Sequence, residues 1–245
     1  MQIDLKKVNL EEFLEHKTLY YDKIDFTVVK SSWQILSQKI KLPFVIHIVG
    51  TNGKGSTGRF LAHYLHKTDY KVLHYSSPHI MKFNERIWIN GNDVSDENLE
   101  IAHRFLQELY EIELLEKLTY FEYTTLLAFY LSKDFDYLVL EAGLGGEFDA
   151  TNVVENNLSL ITTIGLDHQS FLGSTVEKIA ATKMRSVDNK MIVGYQVFDE
   201  VIKTAYEVKK QILEQRNRYI EIIEVIEFDK YPINEKFASY LKRNL

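Results

Sequence analysis

The chain has 245 residues, of which 45% are hydrophobic and 26% charged, the balance of an ordinary soluble globular protein. It contains no cysteine, which excludes a disulfide framework, a zinc–thiolate site and a thiol nucleophile. A net charge of −6 argues against non-specific nucleic-acid binding, and the apolar stretches are too short to span a bilayer. We therefore expect a single cytoplasmic domain over 1–245 that binds neither nucleic acid nor membrane.

Predicted helices and strands alternate along the chain. The first helix is expected to begin after Asn9, with Glu12 in its first turn. Further helices are expected over about 27–40, 57–67, 95–117, 122–132, 174–184 and 201–216, and a capping box from Ser174 to Glu177 opens the one over 174–184. The strands are expected at Phe44–Val49, 71–75, Tyr137–Glu141, 158–164, 191–194 and 219–227, with 76–94 polar and irregular. This alternation predicts an α/β fold with a mainly parallel sheet and helices on both faces.

Glycine is concentrated where these strands end. Ten of the 11 glycines lie between Gly50 and Gly173, and glycine-containing loops follow the predicted strand ends at Val49, Glu141 and Ile164. Because ligands of parallel sheets bind beyond the carboxyl ends of the strands, these three loops are expected to meet at one ligand site.

The first of these loops, over 50–58, is typical of phosphate binding. A strand leads into a glycine-rich turn, then Lys54, then Ser56 and a helix, so backbone N–H groups and a lysine could surround phosphate oxygens. The spacing departs from the strict G-x-x-x-x-G-K-[ST] pattern, because Gly55 separates the lysine from the serine.

The same loop also matches the dinucleotide pattern G-x-G-x-x-G through its glycines at 53, 55 and 58. That interpretation needs an acid at the end of the next strand to bind a ribose hydroxyl, and the chain there reads Tyr75-Ser76-Ser77. The sequence therefore favours a nucleoside triphosphate over a dinucleotide, or over a glycine turn used only for packing.

The other two loops contribute an acid and a histidine. Glu141 ends a buried strand, where a carboxylate can hold Mg²⁺, although most such acids only form a salt bridge or a cap. His168 follows Asp167 and is either a ligand or proton donor, or a structural residue. Position alone predicts that Lys183 is a solvated lysine near a helix C-terminus.

Taken in order, these motifs resemble the folylpolyglutamate synthase/dihydrofolate synthase family of the Mur ligase superfamily. The resemblance covers about 44–184 and lies in the segments GTNGKGS at 50–56, SSPH at 76–79, FNERI at 83–87, LEAGLGG at 140–146, DATN at 149–152 and IGLDH at 164–168. It implies a P-loop-type ATP-binding domain of an amide ligase, in which ATP and Mg²⁺ convert a folate or dihydropteroate to an acyl phosphate that L-glutamate attacks.

The resemblance also implies roles for individual residues. Nucleotide phosphates would be bound by the loop residues Gly50, Thr51, Asn52, Gly53, Lys54, Gly55 and Ser56. The Mg²⁺ positions would be Ser77, Glu141 and His168, and the catalytic positions Lys54, His168 and Lys183, the last matching a lysine that is often carbamylated. The folate contacts would be Ser76, Pro78, Phe83, Asn84, Arg86, Phe121 and Asp149, with 76–87 forming a mobile loop.

Three features depart from that family. Glu147 stands where a basic or variable residue is usual, and Met184 follows Lys183 where the family continues Ala-Gly-Ile. The family's second, C-terminal domain and its Asp-Gly-Ala-His-Asn motif have no counterpart in 1–245. We therefore expect ligase activity to require that domain, and two alternatives stay open: a Mur-type ligase for another substrate, and a non-catalytic nucleotide-binding protein.

Overall fold

A computed structural model describes residues 5–19 and 25–224 of the chain. In that part of the chain the strands are β1 (Phe44–Val49), β2 (Val72–Tyr75), β3 (Ile87–Ile89), β4 (Asn92–Asp93), β5 (Tyr137–Glu141), β6 (Leu158–Ile161), β7 (Lys190–Val193) and β8 (Glu221–Glu224). The helices are α1 (Leu10–Glu15), α2 (Phe26–Leu36), α3 (Lys54–Lys67), α4 (Asp96–Leu109), α5 (Ile112–Lys117), α6 (Tyr120–Leu131), α7 (Gln169–Leu172), α8 (Val176–Met184) and α9 (Asp199–Arg216).

The strands form one sheet in the order β4-β3-β2-β5-β1-β6-β7-β8. All neighbours from β2 to β8 pair in parallel, and only the β2–β3 and β3–β4 pairs are antiparallel. The predicted α/β fold with a mainly parallel sheet is therefore confirmed. From β1 the chain proceeds first towards β2 and later, through β5, to β6 on the other side, which makes the end of β1 the topological switch point where such sheets bind ligands.

Helices cover both faces of the sheet, as predicted. On one face α3 packs Ala62 against the strand residues Ile46, Ile48, Val72 and Val139. On the opposite face α1, α2, α4, α5 and α6 cover β2 and β5, while α8 and α9 cover β6 and β7. The helix α6 is buried around nearly its whole circumference, which explains why its sequence is apolar without a polar stripe.

The segment 76–94 is more regular than predicted. It contains a 3₁₀ turn at Phe83–Arg86 and the hairpin of β3 and β4, whose two-residue turn is Asn90-Gly91 with φ of 46° and 108°. Two successive positive φ values are the geometry of a type I′ turn, which Asn-Gly favours. The dipeptide was therefore the signal for this hairpin, and strands of two and three residues are too short to show alternation.

Predicted helix boundaries were wrong in several places. The predicted helix over 95–117 is two helices, because Tyr110 is extended and buries its ring, with its hydroxyl donating to Ser32 O at 2.9 Å. The helix predicted at 122–132 begins two residues earlier, with Thr119 as its cap. The cap of α8 is Thr175, which accepts from Lys178 N, and not a box from Ser174.

The remaining boundaries shift by a few residues. The second helix ends at Leu36 and not at 40, α3 begins three residues earlier than predicted, and β6 ends at Ile161 and not at 164. Of the final predicted strand over 219–227, only β8 is described, and 225–227 lie outside the described residues. None of the helices in 5–19 and 25–224 has the length and apolarity needed to cross a membrane.

Candidate nucleotide-binding site

The loop after β1, over 50–53, is fastened to the loop after β6. The backbone amides of Thr51 and Asn52 both donate to Thr163 O, at 3.0 and 3.1 Å. The hydroxyl of Thr51 accepts from Gly165 N and donates to Gly165 O, both at 3.1 Å. Four hydrogen bonds thus define the conformation of this phosphate loop, and two of the three loops predicted to meet are in direct contact.

Glycine is required by geometry at two points of this loop. A Cβ at Gly50 would lie 1.9 Å from Thr162 Oγ1, which leaves no space for any side chain. Gly53 has φ of +84°, a left-handed conformation, and precedes the first residue of α3 without a side-chain cap. The first backbone amides of the 14-residue helix α3 point outward from the helix N-terminus, which is the arrangement that favours anions.

Lys54 begins α3 and bends back over its own loop. Its Nζ lies 3.3 Å from Gly50 O and 3.5 Å from Thr51 O, so the ammonium group stands over the carbonyls of the loop. This places a positive charge beside the N-terminus of α3, so both groups favour an anion at this point.

Glu141 lies directly beside this loop at the end of β5. Its side chain is 5% exposed, a Cβ at Gly55 would lie 3.3 Å from its Oε2, and the backbone amide of Ser77 donates to the same oxygen at 3.3 Å. Burial raises the pKa of the Glu141 carboxyl to about 7, against the opposing effects of Lys54 and the Ser77 amide, and Asp149 raises it further. The three predicted loops therefore meet at one edge of the sheet.

The predicted metal positions are brought together only in part. Ser77 and Glu141 are in contact, whereas His168 is the N-cap residue before α7, with φ of 44°, its side chain 54% exposed and its Nε2 3.5 Å from Asp167 Oδ1. Within 5–19 and 25–224, no three His, Asp or Glu side chains form a group that could hold a metal ion. The donors beside the phosphate loop are oxygens, which fit a hard cation that keeps water and phosphate ligands, as Mg²⁺ does.

Lys183 is not the solvated lysine that its position alone predicted. It is 2% exposed, and its Nζ donates to Gly50 O at 2.9 Å. Burial lowers the pKa of Lys183 to about 8, Lys54 lowers it further, and Asp167 and Asp149 oppose the shift. The resemblance pointed to this residue, and the structure places it behind the phosphate loop. The signal missed in the sequence is its helical spacing from the buried Ile179 and Ala180.

Asp149, predicted to contact substrate, is buried, and both of its carboxylate oxygens accept hydrogen bonds from the protein. It is 4% exposed, with Oδ1 accepting from Thr151 N at 3.0 Å and Thr151 Oγ1 at 2.6 Å, and Oδ2 from Leu144 N at 2.8 Å. Burial raises its pKa, and these hydrogen bonds oppose the shift. The geometry favours a role for Asp149 in shaping the loop after β5, so a substrate contact by its side chain stays a prediction without support here.

The loop over 76–86 starts at the end of β2 and borders the same edge of the sheet. Glu85 accepts from three backbone amides, those of Ile80, Met81 and Lys82, at 2.7–2.9 Å, and these hydrogen bonds, led by that of Ile80, lower the pKa of its carboxyl. Ile80 and Met81 themselves are 89% and 83% exposed. Glu85 is therefore a residue of this loop for which the sequence alone predicts no role.

The residues predicted to contact folate are spread around this loop. Arg86 is buried, its Nε donating to His79 Nδ1 at 2.8 Å and its guanidinium lying 5.1 Å from the Tyr120 ring centre. Asn84 donates to Val94 O and Asp96, at 2.8 and 2.7 Å. The others also lie in this loop or beside it: Ser76 and Pro78 are among its first three residues, Phe83 packs near Tyr120, and Phe121 lies against Gly143. A folate contact by any of these residues stays a prediction.

Comparison with known proteins agrees with this geometry. No model of a known protein family matches the chain. A dihydrofolate synthase/folylpolyglutamate synthase of Haemophilus influenzae is 43% identical over 157 residues, which are 63% of this chain and 35% of that protein. The crystal structure of Helicobacter pylori folylpolyglutamate synthetase is 40% identical with a TM-score of 0.77, covering 90% of this chain and 54% of the other.

A third relative was crystallised with a nucleotide analogue. The bifunctional folylpolyglutamate synthase/dihydrofolate synthase of Yersinia pestis, complexed with AMPPNP and a Mn ion, is 29% identical with a TM-score of 0.73 and covers 90% of this chain. The chain spans about a third of the length of the Haemophilus influenzae relative and about half the length of the two solved relatives. The matched region is their N-terminal part.

Proposed function

Because the chain is related in sequence and fold to the N-terminal part of folylpolyglutamate synthase/dihydrofolate synthases, we propose that it is the ATP-binding domain of such a ligase. The reaction is the addition of L-glutamate to a folate or dihydropteroate through an acyl phosphate. The observation that carries this proposal is the phosphate loop over 50–53, held at the switch point of the sheet with Lys54 above it and Glu141 beside it.

Each group at this edge has a distinct part in phosphoryl transfer. The backbone amides at the N-terminus of α3 and Lys54 bind the phosphates and stabilise the negative charge that develops on the transferred group. Glu141 would hold Mg²⁺, which would supply charge neutralisation of the phosphates when bound. Lys183 fixes Gly50 from behind, and a carbamylated form of it stays part of the proposal.

Ligation also requires the part of the relatives that this chain does not span, which we propose contributes to nucleotide and glutamate binding. His168 is exposed at the same edge, so it is available to a phosphate or a substrate bound across the loops. The folate or dihydropteroate would lie beside the loop over 76–86, between its exposed tip and Phe121.

The test is glutamate-dependent release of ADP. The chain is incubated with Mg-ATP, L-glutamate and either dihydropteroate or tetrahydrofolate, alone and joined to the remaining portion of the Helicobacter pylori relative. We expect ADP release in the joined protein that disappears when glutamate is omitted. Tight ATP binding without glutamate-dependent release in any combination would instead support a non-catalytic nucleotide-binding protein.

A further inference from the structure

The segment 162–164, which holds the phosphate loop, continues beyond the end of the regular sheet. The β6–β7 pairing ends with Ile161 opposite Val193, followed by a last backbone hydrogen bond from Gly194 N to Ile161 O at 2.9 Å. Past this point, no strand residue pairs with the outer backbone groups of this segment in the part of the chain that the structure describes.

The side-chain amide of Gln196 meets those backbone groups. Its Oε1 accepts from Ile164 N at 2.9 Å, and its Nε2 donates to Thr162 O at 3.1 Å and to Gly194 O at 3.2 Å. In a parallel sheet one residue of a strand uses its own N–H and C=O to bond the groups that flank a single residue of the neighbouring strand. Gln196 does the same opposite Thr163 with one side chain, because an amide is both a donor and an acceptor.

On its inner side the same segment holds the phosphate loop. Thr163 O accepts the amides of Thr51 and Asn52, and just beyond the segment the N–H of Gly165 donates to the Thr51 hydroxyl and its C=O accepts from it. The hydroxyl of Thr163 adds a bond to Tyr195 O at 3.1 Å, on the side of Gln196. The segment is therefore bonded along both edges, to the phosphate loop on one and to Gln196 and its neighbour on the other.

We propose that Gln196 is a positioning residue for nucleotide binding, which acts through Thr163 on the phosphate loop. The inference rests on the proposed nucleotide site and adds to it a residue outside that site. Gln196 fixes where Thr163 O stands, and Thr163 O fixes the amides of Thr51 and Asn52. A side chain of the same size that lacks either the donor or both polar groups cannot replace it.

Two variants of the 245-residue chain test this role. Gln196→Glu keeps the size and one acceptor but loses the donor and places a carboxylate against Thr162 O and Gly194 O. Gln196→Met removes every polar contact without adding charge. The matched control is Gln211→Glu, which makes the same charge change at an exposed position of α9.

The measurements are hydrogen exchange of single backbone amides and calorimetric titration with Mg-AMPPNP. In both Gln196 variants we expect the amides of Thr51 and Asn52 to exchange about tenfold faster and the Kd for Mg-AMPPNP to rise about tenfold, the effect of one lost buried hydrogen bond. The amide of Val139, in the centre of the sheet, should keep its rate, and Gln211→Glu should match the wild type.

Two results would overturn the inference. One is exchange of Thr51 and Asn52 at wild-type rates in both variants, and the other is an equal acceleration at Val139, which would mean a general loss of stability. Failure of the proposed function is distinguishable, since it is the absence of Mg-AMPPNP binding by the wild-type chain. In that event the exchange rates alone decide whether Gln196 positions the loop.

Discussion

The phosphate loop over 50–53 and the loop over 76–86 border the same edge of the sheet but are held in different ways. The phosphate loop is bonded to its neighbours through two backbone amides and the Thr51 hydroxyl, with buried Lys183 behind it and no space for a side chain at Gly50. The other loop carries Ile80 and Met81 almost fully exposed, and a single side chain, Glu85, binds their amides.

This difference indicates two kinds of binding. In the proposed reaction the phosphate groups are the same in every turnover, so a site that is rigid before they arrive would lose little entropy on binding them. A loop with an exposed apolar tip can change conformation when a larger substrate covers it, and loops of this kind are commonly less stable than the elements that carry them. We therefore expect changes in the phosphate loop to affect folding and nucleotide binding together, and changes in the second loop to affect substrate binding alone.

The largest effect is expected from Gly50→Ala. The added Cβ would overlap Thr162 Oγ1, so we expect a loss of about 3 kcal/mol in the free energy of unfolding together with loss of ATP binding. Gly165→Ala is the matched control at the same edge, because a Cβ there meets no atom within 4 Å. Thermal unfolding of both variants is the measurement, and equal melting temperatures would contradict a rigid phosphate loop.

A smaller effect, dependent on pH, is expected from Glu141→Gln in the absence of metal. The pKa of this carboxyl rises from 4.5 to about 7 on folding, so between these values the folded protein binds a proton that the unfolded chain does not. Stability therefore falls as the pH rises from 4.5 to 7. The glutamine variant should exceed the wild type by about 2 kcal/mol at pH 8 and by much less at pH 5.

Denaturant unfolding at the two pH values measures this difference. A variant that is less stable than the wild type at pH 8 would show that the carboxylate is stabilised where it stands. The same variant should lose the Mg²⁺ dependence of ATP binding, which would connect the cost in stability to the proposed metal role.

The second loop should respond locally to Glu85→Ala. This change removes the acceptor of three backbone hydrogen bonds, so we expect the amides of Ile80, Met81 and Lys82 to exchange about tenfold faster and pteroate affinity to fall. The Glu85→Gln variant retains an acceptor oxygen, so its exchange rates and its pteroate affinity should lie between those of the wild type and of Glu85→Ala. The amides of Thr51 and Asn52 should keep their rates, and a change there would show that the two loops are not independent.

The smallest effect on folding is expected from Met81→Ser at the exposed tip of this loop. The free energy of unfolding should change by about 0.5 kcal/mol or less, while pteroate binding weakens. Met184→Ser is the control, since that methionine is fully buried in α8 and its loss should cost about 2 kcal/mol or more. Unchanged pteroate affinity in Met81→Ser would remove the loop tip from the proposed substrate site.

Much of this edge could be predicted from the sequence because its features are local. The apolar run Phe44–Val49, the glycines that follow it and Lys54 are contiguous, and Glu141 ends an equally plain apolar strand. The fold class followed from the alternation of predicted helices and strands, and this order is unchanged when helix boundaries are wrong by several residues. The Asn90-Gly91 dipeptide is an equally local signal, and the β3–β4 hairpin that it indicates was not predicted.

Other features depend on contacts between distant parts of the chain. Lys183 reaches Gly50 across 133 positions, and nothing near it in the sequence indicates burial apart from its helical spacing. The extended residue Tyr110 follows the end of α4, and its hydroxyl donates to Ser32 O, a partner 78 positions away. Gln196 replaces a strand residue only because β6 and β7 are adjacent, so its role appears once the sheet order is known.

The central claim is that the loop over 50–56 binds the phosphates of Mg-ATP, and calorimetric titration of Lys54→Met tests it most directly. The control is Lys67→Met, which removes a lysine from the other end of the same helix. We predict that the wild type and Lys67→Met bind ATP with Mg²⁺ present, and that Lys54→Met stays folded but binds at least about a hundredfold more weakly. Equal affinity of Lys54→Met and Lys67→Met would contradict the claim.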